Sequence, residues 1–476
     1  MNLRVHHTSQ RVKLGLKYAA VLGAATVGAC ACGWSRAAAG AGQAAPAAQS
    51  IRTFRAYDFV DSVGVNTHLL HPDSFYGTQQ FAVMKQRLLD AHIRHIRDGA
   101  MDQRGDFFQG DQAARYQELG NAGIRVTFIF RVPPLSQQFV QGFPDRVKPA
   151  FEAYELPNEL NLNMSEWVPT LQSWLPEFRR LIKSGTTSAS YPIIGPSLAD
   201  LGNDPYRSLG NQAAHFDFGN LHKYYSNHSP GTTGYGAAGE PPCEAFRYGS
   251  LDYELCHLAK VSDAKAVICT EAGYGSDAAA GGQVTPEVQA KYIARMLMLH
   301  LKAGIRRTFI YQLADYGDNA FGSYGLLTAQ GAEKPAFREL RILMSELNDT
   351  PGAPAPASPA VTLSGDTADV ESMLFAMSNR SYRLVIWIEK PGYDTSANAG
   401  KGQPVAVPTR TVTVNLAKAG QARRQMVFTD TGAAEVRTLD TPASFRVPVG
   451  DNLTIVDFTG EARRAPAPPG SVHIER

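Results

Sequence analysis

The chain has 476 residues, too many for one small core, so one large domain with a smaller companion is expected. Its 46 basic and 44 acidic side chains give a formal net charge of +2, and no Lys/Arg-rich run stands out in the main body. This balance argues against nucleic acid as a partner.

Residues 1–49 have the composition of an export signal with an Ala/Gly-rich leader. Arg4, Arg11, Lys13 and Lys17 precede the apolar run "YAAVLGAATVGACAC" and the small-residue tract "AAAGAGQAAPAAQS". Basic, apolar and then small is the order of a secretory signal peptide, and the apolar run is short of the ~20 residues of a membrane span. We therefore expect a secreted or periplasmic protein. As an alternative, "VGAC" resembles a weak lipobox, which would place a lipid anchor at Cys30 and make the protein an outer-surface lipoprotein.

Outside this leader the cysteines are Cys243, Cys256 and Cys269. In an oxidising compartment Cys243 and Cys256 could close a short loop by a disulfide, contributing ~3 kcal/mol. Cys269 lies in the apolar run "AVICTEAG", which predicts a buried free thiol. Because these spacings match no zinc pattern, no metal is expected.

From residue 50 to 348, short apolar runs alternate with helical patterns, as in βα units around a parallel sheet. The candidate strands, in chain order, are "SVGVNTH", "IRHIRD", "IRVTFIFRV", "FEAYEL", "PIIGPS", "DFGNLHKYY", "AVICTEAG" and "RTFIYQLAD". They predict an α/β fold, a (β/α)8 TIM barrel. One helix has clear limits, with Thr285 as N-cap and Pro286 as its first residue. The helix after the third strand has the weakest pattern, because Gly142 and Pro144 interrupt it.

Beyond the barrel the composition changes. Residues 349–360 include "TPGAPAPASPA", which predicts a stiff linker. Residues 361–462 then alternate apolar and polar side chains, as in "RTVTVNL" and "SYRLVIWIEK". This period of two predicts a C-terminal antiparallel β-sandwich domain, followed by a flexible tail at 463–476. The sandwich could bind carbohydrate or brace the barrel, and because Trp387 lies in such a core-like strand, we expect bracing.

Polar side chains collect at the ends of the predicted barrel strands, where barrel active sites lie. They are Asn66, His68, Arg97, Asp98, Arg131, Asn158, Glu159, His222, Tyr224, Glu271, Gln312 and Asp315. Two carboxylates stand out, because glycosidic bonds are cleaved by a carboxyl pair. Glu159 follows the fourth strand in "YELPNELN", and Glu271 follows the seventh in "VICTEAGY". Glu155, inside the fourth strand, is instead expected to point into the barrel and form a buried ion pair with an arginine such as Arg97.

These two motifs resemble glycoside hydrolase clan A, whose barrels carry Asn-Glu after strand four and a second Glu after strand seven. The resemblance covers about residues 55 to 348, and "HKYY", "HIRD" and "EKPAF" also match the clan. Among its families, those resembling family 39 are the nearest in appearance. The resemblance implies a retaining enzyme with Glu159 as acid/base and Glu271 as nucleophile, and no cofactor.

The same resemblance implies roles for the neighbouring side chains. Asn158 would bind the sugar's 2-hydroxyl, Arg97 would keep Glu271 ionised, and Tyr224 would hydrogen-bond the nucleophile, with His222 lining the pocket. Asn66, His68 and Gln312 are further substrate-binding candidates. The mechanism would also need a raised pKa at Glu159.

One departure from the clan concerns the aromatic floor of the sugar site. Many members carry a Trp after strand eight, where this chain has "FIYQLAD", so Tyr311 or Gln312 takes that place. Trp167 could stack on a sugar in an outer subsite, or only pack its helix against the barrel. We therefore predict an exported, monomeric retaining glycoside hydrolase acting on a polysaccharide or oligosaccharide. A transglycosylase using the same site, or an inactive glycan-binding barrel, are the alternatives.

Overall fold

The computed structural model describes residues 51–71, 74–77, 80–100, 111–132, 135–200, 202–316, 322–352, 359–416, 421–441 and 444–459. The predicted leader with Cys30, the predicted tail and half of the predicted linker lie outside these residues. Within the described part of the chain, no helix combines the length and hydrophobicity needed to cross a membrane.

The first part of the described chain alternates strands and helices. In order, the elements are β1 (Thr53–Arg55), α1 (Ala56–Asp61), β2 (Val63–Asn66), α2 (Phe81–Asp90), β3 (His95–Gly99), α3 (Gln112–Asn121), β4 (Arg125–Ile129), α4 (Gln137–Val147), β5 (Phe151–Glu155), α5 (Leu160–Asn163), α6 (Trp167–Lys183), β6 (Ile193–Ile194), α7 (Pro205–Leu209), β7 (Gly219–Tyr224), α8 (Leu251–Ser262), β8 (Val267–Gly273), α9 (Pro286–Lys302), β9 (Arg307–Ile310) and α10 (Pro335–Leu347).

The second part consists almost entirely of strands. They are β10 (Val361–Gly365), β11 (Val370–Ala376), β12 (Ser381–Ile388), β13 (Tyr393–Asp394), the short α11 (Ala397–Gly400), β14 (Gln403–Pro404), β15 (Arg410–Leu416), β16 (Gln421–Phe428), β17 (Ala434–Thr441), β18 (Ser444–Val449) and β19 (Thr454–Thr459).

Strands β2 to β9 form one parallel sheet of eight strands in the order β6-β5-β4-β3-β2-β9-β8-β7. Its two end strands meet through an isolated parallel bridge between Ile194 and Phe218. The amide of Gly195 donates to the carbonyl of Phe218 at 2.9 Å, which closes the ring. The predicted (β/α)8 barrel is confirmed, and its strands are those that the apolar runs predicted.

The barrel interior has an apolar lower layer made by Ala153, Ile194, Ile268 and Phe309. Gly64 makes room for it, since a Cβ there would lie 2.5 Å from the Phe309 ring. Side chains of a strand alternate between its faces, so residues two positions further along extend the same face toward the carboxyl ends. That upper layer is polar, and it forms the site described below.

Two helices begin directly after a residue whose side chain caps them. Thr285 accepts a hydrogen bond from the amide of Val288 and caps α9, and Pro286 is its first residue. Ser136 caps α4 in the same way, and this helix continues through Gly142 and Pro144 to Val147. The cap and the burial of its apolar face stabilise α4 despite the interruption.

The C-terminal sheets form the predicted antiparallel sandwich. A six-stranded sheet, β1-β11-β12-β19-β16-β17, faces the three-stranded sheet β10-β15-β18. Between them lies a separate apolar core that includes Leu384 and Ile386. The alternate residues Val385 and Trp387 belong instead to the main core of the barrel and its helices. The larger sheet is thus buried on both faces at β12, where Trp387 is fully buried against the barrel side.

The chain enters the sandwich before it enters the barrel. β1 pairs in parallel with β11, with Phe54 opposite Phe375. The segment predicted as the barrel, 50–348, therefore begins with three residues of the sandwich sheet, and the barrel itself starts at Val63.

Ion pairs also join the barrel helices to the sandwich. Buried Arg295 of α9 pairs with Glu389, and Lys291 pairs with Asp451 at 3.2 Å.

Candidate active site

A buried arginine lies at the centre of the polar layer. Arg97 of β3 is 2% exposed and makes two hydrogen bonds of 2.7 Å to the carboxylate of Glu155. It also donates to Glu271 at 2.6 Å, to Asn158 at 2.5 Å and to Asn66 at 2.9 Å. Burial lowers the pKa of Arg97, but the charges of Glu155 and Glu271 outweigh it and hold the pKa above its ordinary value. Arg97 is therefore a fixed cation shared by two carboxylates.

Glu271 faces the barrel because of an irregularity in β8. The register between β7 and β8 shifts at this point, so Cys269 pairs with Leu221 and Glu271 pairs with His222. In a regular strand Thr270 and Glu271 would point to opposite faces. Here both reach the barrel interior, because a bulge redirects side chains. The Tyr224 hydroxyl donates to Glu271 Oε2 at 2.7 Å, so both oxygens of this carboxylate accept hydrogen bonds.

Glu159 is held in an unusual backbone conformation. Its φ of 42° and ψ of 45° lie in the left-handed region, which is rare for a residue with a side chain. Its amide donates to the carbonyl of Ser197 at 3.1 Å. The turn aims the carboxylate at His222, whose Nδ1 lies 2.8 Å from Glu159 Oε1.

The two carboxylates converge on one place. One oxygen of Glu159, one oxygen of Glu271 and a ring nitrogen of His222 all lie within 4.8 Å of one another. Among the described residues, these are the group that could share a metal ion. The Arg97 cation on Glu271 already neutralises part of that charge, which makes the cluster a poor cation site. The arrangement suits two carboxylates acting on a bond placed between them.

The expectation of a raised pKa at Glu159 is wrong for the free protein. Burial raises the pKa of Glu159, but the hydrogen bond and charge of His222 outweigh burial and lower it below its ordinary value. For His222 the opposite holds: burial lowers the pKa, while the charge of Glu271 and the bond to Glu159 raise it. Both shifts favour the proton on the imidazole of His222, a residue that lies outside the motif around Glu159.

The remaining predicted residues occupy different depths of the site. Asn158 is exposed at the mouth, and its Oδ1 accepts from Arg97. Asn66 is buried below it and donates to the carbonyl of Thr270 at 3.0 Å, so it supports Arg97 from inside the barrel. Gln312 is fully buried, and its backbone N–H donates to the carbonyl of Tyr324 at 3.1 Å.

His68 belongs to an aromatic wall beside the carboxylates. Its ring stacks on Tyr316 with centroids 5.5 Å apart and meets Tyr311 edge-on at 5.8 Å. Tyr311 in turn lies 6.4 Å from Tyr224. Burial lowers the pKa of His68 to about 4, so this ring is neutral at pH 7. Tyr311 is part of this aromatic wall. It belongs to the segment "FIYQLAD", which contains no tryptophan.

Trp167 is the first residue of α6 and lies partly buried against the main core. Within the described residues, the hydrogen bonds around Glu159 and Glu271 do not include it.

Cys243 and Cys256 form a disulfide with an S–S distance of 2.04 Å, and it ties the segment after β7 to α8. Cys269 is a buried free thiol.

Sequence reasoning missed Asn220 and Thr270, which lie behind His222. The Thr270 hydroxyl is 3.0 Å from His222 Nε2 and 2.6 Å from Asn220 Oδ1. Asn220 precedes His222 by two positions in the same strand, so alternation alone could have identified it. Thr270 follows the inward-facing Ile268 by two positions, so alternation places it in the interior as well, whereas Glu271 reaches that side only through the bulge.

No model of a protein family and no curated protein matches the sequence. Solved structures do match. A family 39 glycoside hydrolase from Bacteroides cellulosilyticus aligns over 84% of this chain and 81% of its own, with a TM-score of 0.50 and 16% identity.

Two structures from Caulobacter crescentus align over 87% of this chain and 98% of their own. One is described as a monomeric β-xylosidase, with a TM-score of 0.53 and 15% identity. The other is described as a family 39 β-xylosidase, with a TM-score of 0.51 and 13% identity. At these identities the comparison bears on the fold alone: the barrel and sandwich of this chain have a fold similar to that of these three structures.

Proposed function

We propose that this protein is a retaining glycoside hydrolase that cleaves O-glycosidic bonds of a polysaccharide or oligosaccharide. The observation that carries the proposal is the convergence of Glu159 and Glu271, with oxygens within 4.8 Å of each other. Retaining enzymes place their two carboxyl groups about 5–5.5 Å apart, whereas inverting enzymes leave about 6.5–9.5 Å for a water molecule. The short separation therefore favours double displacement.

The surroundings of the two carboxylates support a role for each. Glu271 accepts from Arg97 and Tyr224, which suits a charged nucleophile held in one orientation. It attacks the anomeric carbon while the bond to the leaving oxygen breaks, and Glu159 delivers a proton to that oxygen. Glu159 then removes a proton from water, and the resulting hydroxide displaces Glu271 and releases the sugar.

We also propose that the protein works outside the cytoplasm. The disulfide between Cys243 and Cys256 supports this, because such bonds persist in oxidising compartments. Cell fractionation distinguishes a lipid anchor at Cys30 from secretion or a periplasmic location. An anchored form partitions into detergent with the membrane, whereas the other two remain in the aqueous phase.

The experiment that tests the activity is hydrolysis of a panel of nitrophenyl glycosides. Glu271→Gln should lower kcat by at least about 10³-fold. Glu159→Gln should spare the first step, because nitrophenol leaves without a proton, and should slow the second. A matched control is Glu177→Gln, since Glu177 lies on α6 and pairs with exposed Arg180.

Analysis of the products separates the alternatives. Retention at the anomeric centre, read by NMR in the first minutes, supports double displacement, and inversion would overturn it. A product lengthened by an added sugar acceptor would identify a transglycosylase. Glycan binding with no turnover of any substrate would identify an inactive binding barrel.

A further inference from the structure

His222 is held at both of its ring nitrogens. Nδ1 lies 2.8 Å from Glu159 Oε1, and Nε2 lies 3.0 Å from the Thr270 hydroxyl oxygen. The side chain is 1% exposed, so protein groups and not bulk water determine its protonation. The charged groups that face it are Glu159, Glu271 at 3.7 Å and Arg97.

The partners behind Thr270 fix the direction of its hydroxyl proton. Thr270 Oγ1 lies 2.6 Å from Asn220 Oδ1 and 3.0 Å from Glu155 Oε1, and both of these oxygens are acceptors. The Asn220 amide cannot be turned around, because its Nδ2 already donates to Glu155 and to the carbonyl of Gly195. Thr270 must therefore donate its hydroxyl proton to these two oxygens. Its oxygen then accepts from the Nε2–H of His222.

With a proton fixed on Nε2, a second proton lies on the hydrogen bond between His222 Nδ1 and Glu159. An imidazolium beside a carboxylate and an imidazole beside a carboxylic acid carry the same total charge. The pair therefore stores one proton whichever atom holds it. Burial opposes the charged form of His222, but the charge of Glu271 and the hydrogen bond and charge of Glu159 raise its pKa, which favours the proton on the imidazole in the free protein.

We propose that His222 stores the proton that Glu159 delivers, and that Thr270, held by Asn220 and Glu155, is the positioning residue that makes this storage possible. The inference rests on the proposed glycosidase activity. As the glycosidic bond breaks, the stored proton passes from His222 Nδ1 through Glu159 to the leaving oxygen. Neither residue then holds it. The neutral His222 and ionised Glu159 that remain are the base that deprotonates water in the second step, which restores the proton.

The test is the pH dependence of kcat/KM with poor and good leaving groups. In the natural protein the basic limb reports loss of the stored proton, so its midpoint should lie above the ordinary histidine value of 6.5. In His222→Gln the limb should move by at least one unit toward the ordinary carboxyl value of 4.5. Activity at pH 7 on a poor leaving group should fall about 100-fold, and activity on dinitrophenyl glycosides should fall far less.

Thr270→Val tests the positioning role, since it removes the hydroxyl and keeps the shape. We expect the basic limb to lie at lower pH than in the natural protein. We also expect kcat/KM with poor leaving groups to fall roughly tenfold, less than the about 10²–10⁴-fold typical of general-acid catalysis. Thr270→Ser should restore the limb. Thr308→Val is the matched control, because Thr308 also bonds a buried histidine, His300, away from the carboxylates, and its limb should not move.

A second readout does not depend on turnover. In ¹⁵N-histidine-labelled protein, the signals that disappear in His222→Gln should show both nitrogens protonated at pH 6.5. In Thr270→Val the same signals should show that His222 loses a proton at a lower pH than in the natural protein. An unmoved basic limb in His222→Gln, or a neutral His222 at pH 6.5, would overturn the inference in an active enzyme. Absence of any turnover would instead count against the proposed function.

Discussion

At the scale of single residues, Arg97 determines the chemistry of the site. Its side chain is 2% exposed and pairs with two carboxylates, Glu155 deeper in the barrel and Glu271 nearer the mouth. Burying one cation with two anions is costly unless each polar atom has a partner. The further hydrogen bonds of Arg97 to Asn66 and Asn158 supply those partners.

Arg97→Met should lower the free energy of unfolding by about 3–5 kcal/mol, because it leaves Glu155 buried without its cation. Urea denaturation at pH 7 measures this. The double variant Arg97→Met/Glu155→Met should recover at least half of the loss, since it removes the uncompensated charge. Arg180→Met is the matched control, because Arg180 pairs with Glu177 on the surface, where such pairs contribute about 0–1 kcal/mol. A loss of similar size in both single variants would contradict the argument.

The residues of the site could be predicted from sequence where strand alternation operates. It separated Glu155, which points inward and binds Arg97, from Glu159 beyond the strand end. The protonation of Glu159 could not be predicted, because it depends on His222, which lies in β7, 63 residues further along the chain. Electrostatic neighbours that meet only in the folded state leave no mark in a local motif.

At the scale of elements, the irregular register of β8 is what completes the site. Because of it, Thr270 binds His222 and the next residue, Glu271, binds Arg97 and Tyr224. A regular strand would bury one of these side chains among the helices. The run "AVICTEAG" predicted the strand correctly but carries no signal for a bulge, since no glycine or proline marks the position.

The disulfide stabilises the long segment between β7 and α8. Cys243 and Cys256 are 13 residues apart, and closing a loop of that size in the unfolded chain corresponds to about 3 kcal/mol. Cys243→Ala/Cys256→Ala should therefore lower the free energy of unfolding by about 2–3 kcal/mol, measured by urea denaturation. A reducing agent should destabilise the natural protein by a similar amount and leave the variant unchanged. Equal sensitivity of both proteins to the reductant would contradict this prediction.

At the scale of the whole molecule, the barrel and the sandwich share one sheet as a common wall. Successive residues of β12 alternate between the two cores, with Leu384 in one and Val385 in the other. The period of two predicted the strands but not that both faces would be buried. The pairing of β1 with β11 could not be predicted either, because a three-residue strand joined to a partner more than 300 residues away has no local signal.

The junction of these two parts also contains a buried acid. Glu339 of α10 is fully buried, and neither carboxylate oxygen has a hydrogen-bond partner among the described residues. Burial raises its pKa to about 8; Lys291 opposes this, while Asp430 and Asp451 add to it. Glu339 is therefore protonated in the folded protein at pH 7 and ionised in the unfolded chain.

This difference makes stability depend on pH in a defined direction. Below the ordinary value of 4.5 both states hold the proton, and Glu339 has no effect. Between 4.5 and about 8, unfolding releases the proton, so stability falls as pH rises, by at most about 1.4 kcal/mol per unit. Glu339→Gln cannot ionise, so its advantage over the natural protein should grow from pH 5.5 to pH 8.5 in urea denaturation. The exposed Glu177→Gln should show no such growth, and parallel curves for Glu339→Gln would mean that Glu339 is ionised in the folded protein.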